Sequence, residues 1–467
     1  MQAGPWWTAQ NGLVTDPTER AADLPRKALA RSLRLASLPV GLAGRTALGL
    51  GKRLGGKPAE LVAAEVQART AHQLFSVLGQ LKGGAMKVGQ AMSIFEAALP
   101  EELAEPYRGT LTLLQDRAPS MPESVVLTVL RQELGNDWRA NFVSFELAPA
   151  AAASIGQVHR AVWRDGRDVA VKLQYPGAAD ALIADFTQLS RVGRLVGAAM
   201  PGMHLGPVLD ELKARLVEEL DYRLEAASQH TFAEAFAGDE HFLIPDVLMH
   251  TDRLLVTEWV TGRALSEVIS VGTTAERDAA ATRYLEFLLA GPERAGLLHA
   301  DPHPGNFRIA SDGRLIVLDF GTVNRLPDGM PPVIGQMMAL ALRSGAGTPD
   351  PEVAAQILDG LRGQGFVREN VTINPISLLT YVEPFLSPLR VPSFRFDRPW
   401  LRELFAHIND PRRPTWSVGL RLNLPPEFLL IHRVWIGGLG VLCQIGGEVP
   451  AVDVLAEHLP GFRQASD

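Results

Sequence analysis

The chain has one cysteine, Cys443, in 467 residues. An intrachain disulfide framework is excluded, and a lone cysteine reads as a small core residue in a reducing, cytoplasmic setting. Long uncharged runs are also missing. The best candidates for a span, Val434–Gly447 and Leu195–Leu209, hold 14 and 15 uncharged residues, short of the roughly 18 a membrane span needs. Both are broken by Gly or Pro. The first twenty residues lack the charged-then-apolar layout of a secretory signal and read as disordered. There is no excess of positive charge. The net charge of −7 gives nucleic acid no electrostatic footing, and no segment repeats.

What is present is ordinary for a soluble protein of two or three domains: 46% hydrophobic and 21% charged residues, enough to bury a sizeable core. Charge is unevenly spread. Arg26–Lys57 carries eight Lys or Arg and no acidic residue, with leucines interleaved. Three readings stay open for it: a solvated basic tail, an amphipathic contact with anionic lipid at the inner face of a membrane, and, last, a nucleic-acid contact.

Texture divides the rest. Residues 58–140 read as helices, rich in Ala, Leu, Gln and Glu, with one over 123–133 after a proline turn at 118–122. From Phe142 the pattern turns to strands: "FVSFEL", then "SIGQVHRAVW" and "VAVKLQ" around a polar glycine turn. A helix is expected over Leu205–Phe236, then strands in "LIPDVLMH" and "RLLVTEWV". After Gly262 the pattern is mainly helical. The expected organisation is a segment 1–57, a helical extension 58–140, a small β-rich lobe 141–262 and a large helical lobe 263–467, an α+β architecture. Thr348–Asp467 carries no readable motif and suggests packed helices with long connections.

Three stretches carry chemistry. In "VAVK", Lys172 stands on an apolar strand, where a charge is costly unless paired. Upstream, the small residues Ala151, Ala152, Ala153 and Ser154 form a turn that lets backbone N–H groups approach a phosphate. Gly156 and Val158 fit the end of the kinase pattern G-x-G-x-x-G-x-V, with Ala151 and Ala153 where its first two glycines would be. "VEELDYRLEAASQ" offers Glu218, Glu219, Asp221 and Glu225 as partners for Lys172; Asp221 and Glu225 share a helix face. Finally, "HADPHPGNFRIASDGRLIVLDFG" places Asp301 five residues before Asn306 and eighteen before Asp319. Such a set suits phosphoryl transfer: one Asp to orient or deprotonate an acceptor, an Asn and a second Asp to hold Mg²⁺ against phosphates.

These stretches, with "KVGQ" at 87–90, "VKLQYPG" at 171–177 and "ELD" at 219–221, resemble the UbiB/AarF family of atypical kinase-like proteins linked to quinone biosynthesis. The specific motifs cover about residues 70–325. The resemblance implies a two-lobed protein-kinase-like fold, with an N-terminal helical extension that carries K-x-G-Q across the active site. It puts Lys87 and Gln90 beside Glu219 and Asp221 as an occluding set. It pairs Lys172 with Glu225 and brings Lys172 to the α/β-phosphates of ATP or ADP. Asp301 becomes the base, Asn306 and Asp319 the Mg²⁺ ligands, and the backbone near Glu258–Val260 the adenine contact.

Two features disfavour a peptide acceptor: the occluding lysine, and a segment after "DFG" that enters a helix within about ten residues. The expected function is an atypical kinase or ATPase acting on isoprenoid-lipid or quinone metabolism at a membrane surface. A nucleotide-switched pseudokinase scaffold and a small-molecule phosphotransferase of the aminoglycoside-kinase type are the alternatives.

Overall fold

A computed structural model describes residues 120–153, 155–180, 183–184, 187, 217, 220–345, 349–410 and 412–463. The chain divides into two compact units, residues 1–81 with 184–210, and residues 82–183 with 211–467. Apart from Ala184 and Thr187, every described residue belongs to the second. Elements are numbered along these residues.

The second unit opens with α1 (Glu123–Leu134) and a sheet of β1 (Phe142–Phe145), β2 (Ala151–Ala153), β3 (Gly156–Trp163), β4 (Asp168–Gln174), β6 (Val247–His250) and β7 (Leu254–Glu258). Its order is β1-β3-β4-β7-β6, with β2 pairing β3. The period-2 geometry of strands decides what each residue meets. Val169, Val171 and Leu173 of β4 are fully buried, as are Val126 and Leu130 of α1, which pack on the same face. Each such side chain contributes about 1.5–3 kcal/mol by leaving water. The alternation that sinks these residues turns Lys172 to the opposite face of the sheet.

The core face of β3 also buries two polar residues, Gln157 and His159, and both are satisfied. Gln157 Oε1 accepts from the Met121 amide at 2.7 Å. Its Nε2 donates to His159 Nε2 at 2.8 Å. His159 Nδ1–H donates to the Glu146 carbonyl at 2.9 Å. His159 must then be neutral, and burial lowers its pKa. The unfolded chain takes up this proton near pH 6.5 while the folded one resists, so stability falls as pH drops below about 6.5. The urea midpoint should decline from pH 6.5 to 5, and His159→Gln should flatten that slope. Equal slopes in the two proteins would refute the assignment.

After the sheet strand β4 comes α2 (Tyr222–Ala235). Of the helix expected over 205–236, residues 205–216, 218 and 219 lie outside the described residues, and Leu220–Asp221 are not helical. Asp221 is extended, and its side chain caps α2 by accepting from the Arg223 amide. One face of α2, Tyr222, Glu225, Ala226, Gln229 and Phe232, is buried at helical spacing. The stretch "LIPDVLMH" is not one strand but two. β5 (Phe242–Leu243) pairs in parallel with β11 (Leu315–Val317), whereas β6 pairs with β7. Pro245 lies between them and offers no N–H for a continuous ladder.

The larger lobe is built around α4 (Thr274–Ala295), preceded by β8 (Arg263–Ala264) and α3 (Leu265–Val271). A capping box, Thr273 with Glu276, starts α4, and Gly296 in the left-handed region ends it. β9 (Leu297–His299), β10 (Phe307–Ile309) and β12 (Val323–Arg325) complete the strands near the chemistry; β9 pairs with β12, and β10 with both β11 and β8. The helices α5 (Pro332–Arg343), α6 (Pro351–Gly363), α7 (Pro375–Leu386), α8 (Arg398–Asn409), α9 (Trp416–Gly419), α10 (Leu429–Ile445) and α11 (Ala451–His458) come next, with a ribbon of β13 (Phe394–Arg395) and β14 (Glu448–Val449). They join one core with α4. The motif-free region 348–467 thus supplies much of this lobe's interior. Among the described residues no helix is long and apolar enough to cross a membrane.

Candidate active site

Lys172 is where the two lobes meet. Its Nζ donates to Glu225 Oε1 at 2.6 Å and to Asp319 Oδ2 at 3.2 Å. Its side chain is 15% exposed and that of Glu225 2%. Burial alone would drive the proton off, but the Asp319 and Glu225 carboxylates outweigh it and hold the lysine pKa well above its ordinary range. The Tyr222 ring lies 5.1 Å from Nζ, within cation–π reach. The ammonium is therefore fixed by three elements: β4, α2 and the end of β11.

Asp319 follows β11 and is oriented from both oxygens. Oδ1 accepts from the Gly321 amide at 2.9 Å, while Oδ2 meets Lys172. His299, buried at the end of β9, donates Nε2–H to the Asp319 carbonyl at 2.6 Å. Its ring also lies edge-on to Phe320 at 5.6 Å. The loop between β9 and β10 folds tightly. Asn306 Nδ2 donates to the Asp301 carbonyl at 3.1 Å, and the Gly305 amide donates to His303 Nδ1 at 3.1 Å. Since Nδ2 of Asn306 is used on the loop, Oδ1 is the atom it can offer a cation. With the Asp319 carboxylate this makes two hard oxygen donors, a set that fits Mg²⁺ sharing its remaining ligands with phosphates and water.

The structure brings Lys172, Glu225 and Asp319 into contact and sets Asn306 against the backbone of Asp301. The alanines differ from expectation. Ala151, Ala152 and Ala153 form strand β2, in register with Val158, Gln157 and Gly156, rather than a turn. Glu258 ends β7, its amide donating to the Asp246 carbonyl at 3.0 Å and its carboxylate 3.5 Å from Arg167; Val260 follows it as irregular chain. Asp221 sits at the head of α2, where hydrogen bonds from Arg223 hold its carboxyl below the usual carboxylate range. Lys87, Gln90, Ser154, Glu218 and Glu219 lie outside the described residues.

Sequence reasoning missed His299 and Tyr222. His299 opens the very motif that holds Asp301, and Tyr222 follows "ELD" directly. Nothing in the local pattern reveals that the first holds Asp319 in place and the second faces Lys172.

The site has relatives. Residues 113–343 match the family model of the ABC1 atypical kinase-like domain. The mitochondrial atypical kinase coq-8 of Caenorhabditis elegans is 31% identical over 317 residues, 64% of this chain and 41% of its own length. The chloroplastic ACTIVITY OF BC1 COMPLEX KINASE 3 of Arabidopsis thaliana is 30% identical over 365 residues, 75% of this chain and 48% of its own. The chain thus spans less than half the length of these two curated relatives. A solved structure from Mycobacterium tuberculosis, Rv3197 in complex with erythromycin, is 38% identical with a TM-score of 0.67, covering 88% of this chain and 100% of that one.

Proposed function

Because the chain belongs to the ABC1 atypical kinase-like family, the UbiB family, we propose that it is an ATP-binding, Mg²⁺-dependent atypical kinase or ATPase. Its service is to isoprenoid-lipid or quinone metabolism at a membrane surface. The observation that carries this reading is Lys172, held at 2.6 Å from Glu225 and 3.2 Å from Asp319 across the two lobes. The same three charge types in the same chain order organise phosphoryl transfer in protein kinases.

On this reading residues 141–262 and 263–467 act as the two lobes and 58–140 as the extension, with Lys87, Gln90, Glu219 and Asp221 as its occluding set. Ala151, Ala152, Ala153, Ser154, Gly156 and Val158 cover the phosphates, while backbone near Glu258 and Val260 takes the adenine. Lys172 clamps the α/β-phosphates, and Glu225 keeps its ammonium aimed. Asn306 and Asp319 hold Mg²⁺, which would neutralise the phosphate charge. Asp301 accepts the acceptor's O–H proton as the new P–O bond forms and the bond to the β-phosphate oxygen breaks.

A small acceptor, or water, is favoured over a peptide. Helix α5 begins at Pro332, soon after Gly321, so little chain remains to dock a peptide. Erythromycin in the mycobacterial relative favours a small amphiphilic molecule as the ligand class. The aminoglycoside-kinase type of chemistry is therefore the second reading.

The test is ATP turnover with Mg²⁺, with and without anionic liposomes, beside Asp319→Asn. Turnover should rise with liposomes and fall by about 10²-fold or more in the variant. Tight nucleotide binding with no turnover in either protein would move the assignment to a nucleotide-switched scaffold.

A further inference from the structure

The loop Asp301–Asn306 contains two prolines, Pro302 and Pro304, which have no N–H to give. Its carbonyls must find donors elsewhere. The Asp301 carbonyl accepts from Asn306 Nδ2 at 3.1 Å, and the His303 carbonyl from the Asn306 amide at 3.0 Å. Both bonds close the loop on itself. The carbonyl between them, Pro302, accepts from the hydroxyl of Tyr284 at 2.7 Å. Tyr284 stands on the buried side of α4 and is fully buried. Its bond ties the middle of the loop, one residue after Asp301, to the central helix of the lobe. At the other end, the Asn306 carbonyl accepts from the Leu318 amide at 2.9 Å, next to Asp319.

We propose that Tyr284 is a positioning residue for phosphoryl transfer: through the Pro302 carbonyl it fixes where the Asp301 carboxylate stands relative to Asp319. The inference rests on the kinase reading and deepens it. Packing does not require the hydroxyl. The ring is held edge-on by Phe307 at 5.1 Å, and phenylalanine would fill the same space while taking away only the Pro302 carbonyl's donor. The hydroxyl also stays a donor throughout the working pH range, because burial and the nearby Asp301 charge push its pKa well above the usual value. What it provides is aim. Reacting groups displaced by as little as ~1 Å lose much of their rate.

Tyr284→Phe tests this in the full chain, against Leu289→Ala as a second variant. Leu289 is a fully buried residue of the same helix and has no part in the loop's hydrogen bonds. Tyr284→Phe should lower kcat for ATP by about tenfold, with KM for ATP within about twofold, and should raise amide exchange at Gly305 and Asn306 by about tenfold. Leu289→Ala should lose more thermal stability yet keep kcat. Unchanged exchange at Gly305 and Asn306 in Tyr284→Phe would overturn the anchor. Raised exchange with unchanged, Asp319-dependent kcat would overturn the positioning role. If the unaltered protein shows no Asp319-dependent turnover, the kinase reading falls and the catalytic half of this proposal falls with it, while exchange still judges the anchor.

Discussion

On the proposed kinase reading, Lys172→Ala should lower ATP turnover by about 10²–10³-fold, the loss expected when one preorganised charge is withdrawn from a transition state. It has a second effect of comparable importance. Glu225 is 2% exposed, and Lys172 donates to it at 2.6 Å. Breaking a buried ion pair by removing one partner costs about 3–5 kcal/mol, which is a large part of the stability of an ordinary domain. The two effects can be separated. The double variant Lys172→Ala/Glu225→Gln removes the buried charge along with its partner, so it should recover most of the lost stability and none of the turnover. Urea denaturation and ATP hydrolysis, measured on the same three proteins, check both halves. Turnover unchanged in Lys172→Ala would sink the assignment of the site.

Gly156→Ala is expected to be nearly as damaging, for a reason unconnected with phosphates. A Cβ on Gly156 would lie 2.0 Å from the Leu173 carbonyl oxygen and 2.9 Å from its carbonyl carbon. That neighbour is the backbone of the adjacent strand, paired with β3 throughout, so it cannot swing aside. The two strands must part at the point where Lys172 sits one residue from Leu173. Overpacking of side chains costs typically 1–3 kcal/mol, and a backbone clash this close should reach about 3 kcal/mol or exceed it. Calorimetry of the variant should show that loss, together with weakened nucleotide binding. A variant of unchanged stability that binds nucleotide less well would instead return Gly156 to a direct role at the phosphates.

Gly156 also shows what a sequence conceals. Its match to a glycine-rich pattern points to close approach by a ligand, whereas the close approach the structure displays is strand to strand. Lys172, Glu225 and Asp319 were legible because each stands in a short segment with its own signature and the segments follow a fixed order. Their meeting was not legible by spacing, since Lys172 and Asp319 are 147 residues apart. Ala151–Ala153 escaped as a strand because three alanines have no alternation to read. They become β2 only by pairing with β3. Tyr284 escaped because a tyrosine on the buried face of a helix reads as core, and its partner is a carbonyl on a proline-rich loop 18 residues away. The region after Thr348 gave no motif because its residues serve packing, and packing tolerates many sequences of the right size and pattern.

The family match ends at residue 343, yet the lobe it names does not. The floor beneath α4 is laid by later chain. A Cβ at Gly438 of α10 would press on Leu288, one at Gly447 would meet the Arg277 carbonyl, and the Glu448 amide donates to Asp278 at 2.7 Å. On the ribosome, chains grow by about 5–20 residues per second. The Asp301 and Asp319 segments therefore emerge several seconds before the helices that close over the far side of α4. In that interval the Asp301–Asn306 loop would hang on a helix with one apolar face still bare, the kind of surface that chaperones hold. The candidate site residues are thus made before the helices that complete the core beneath them.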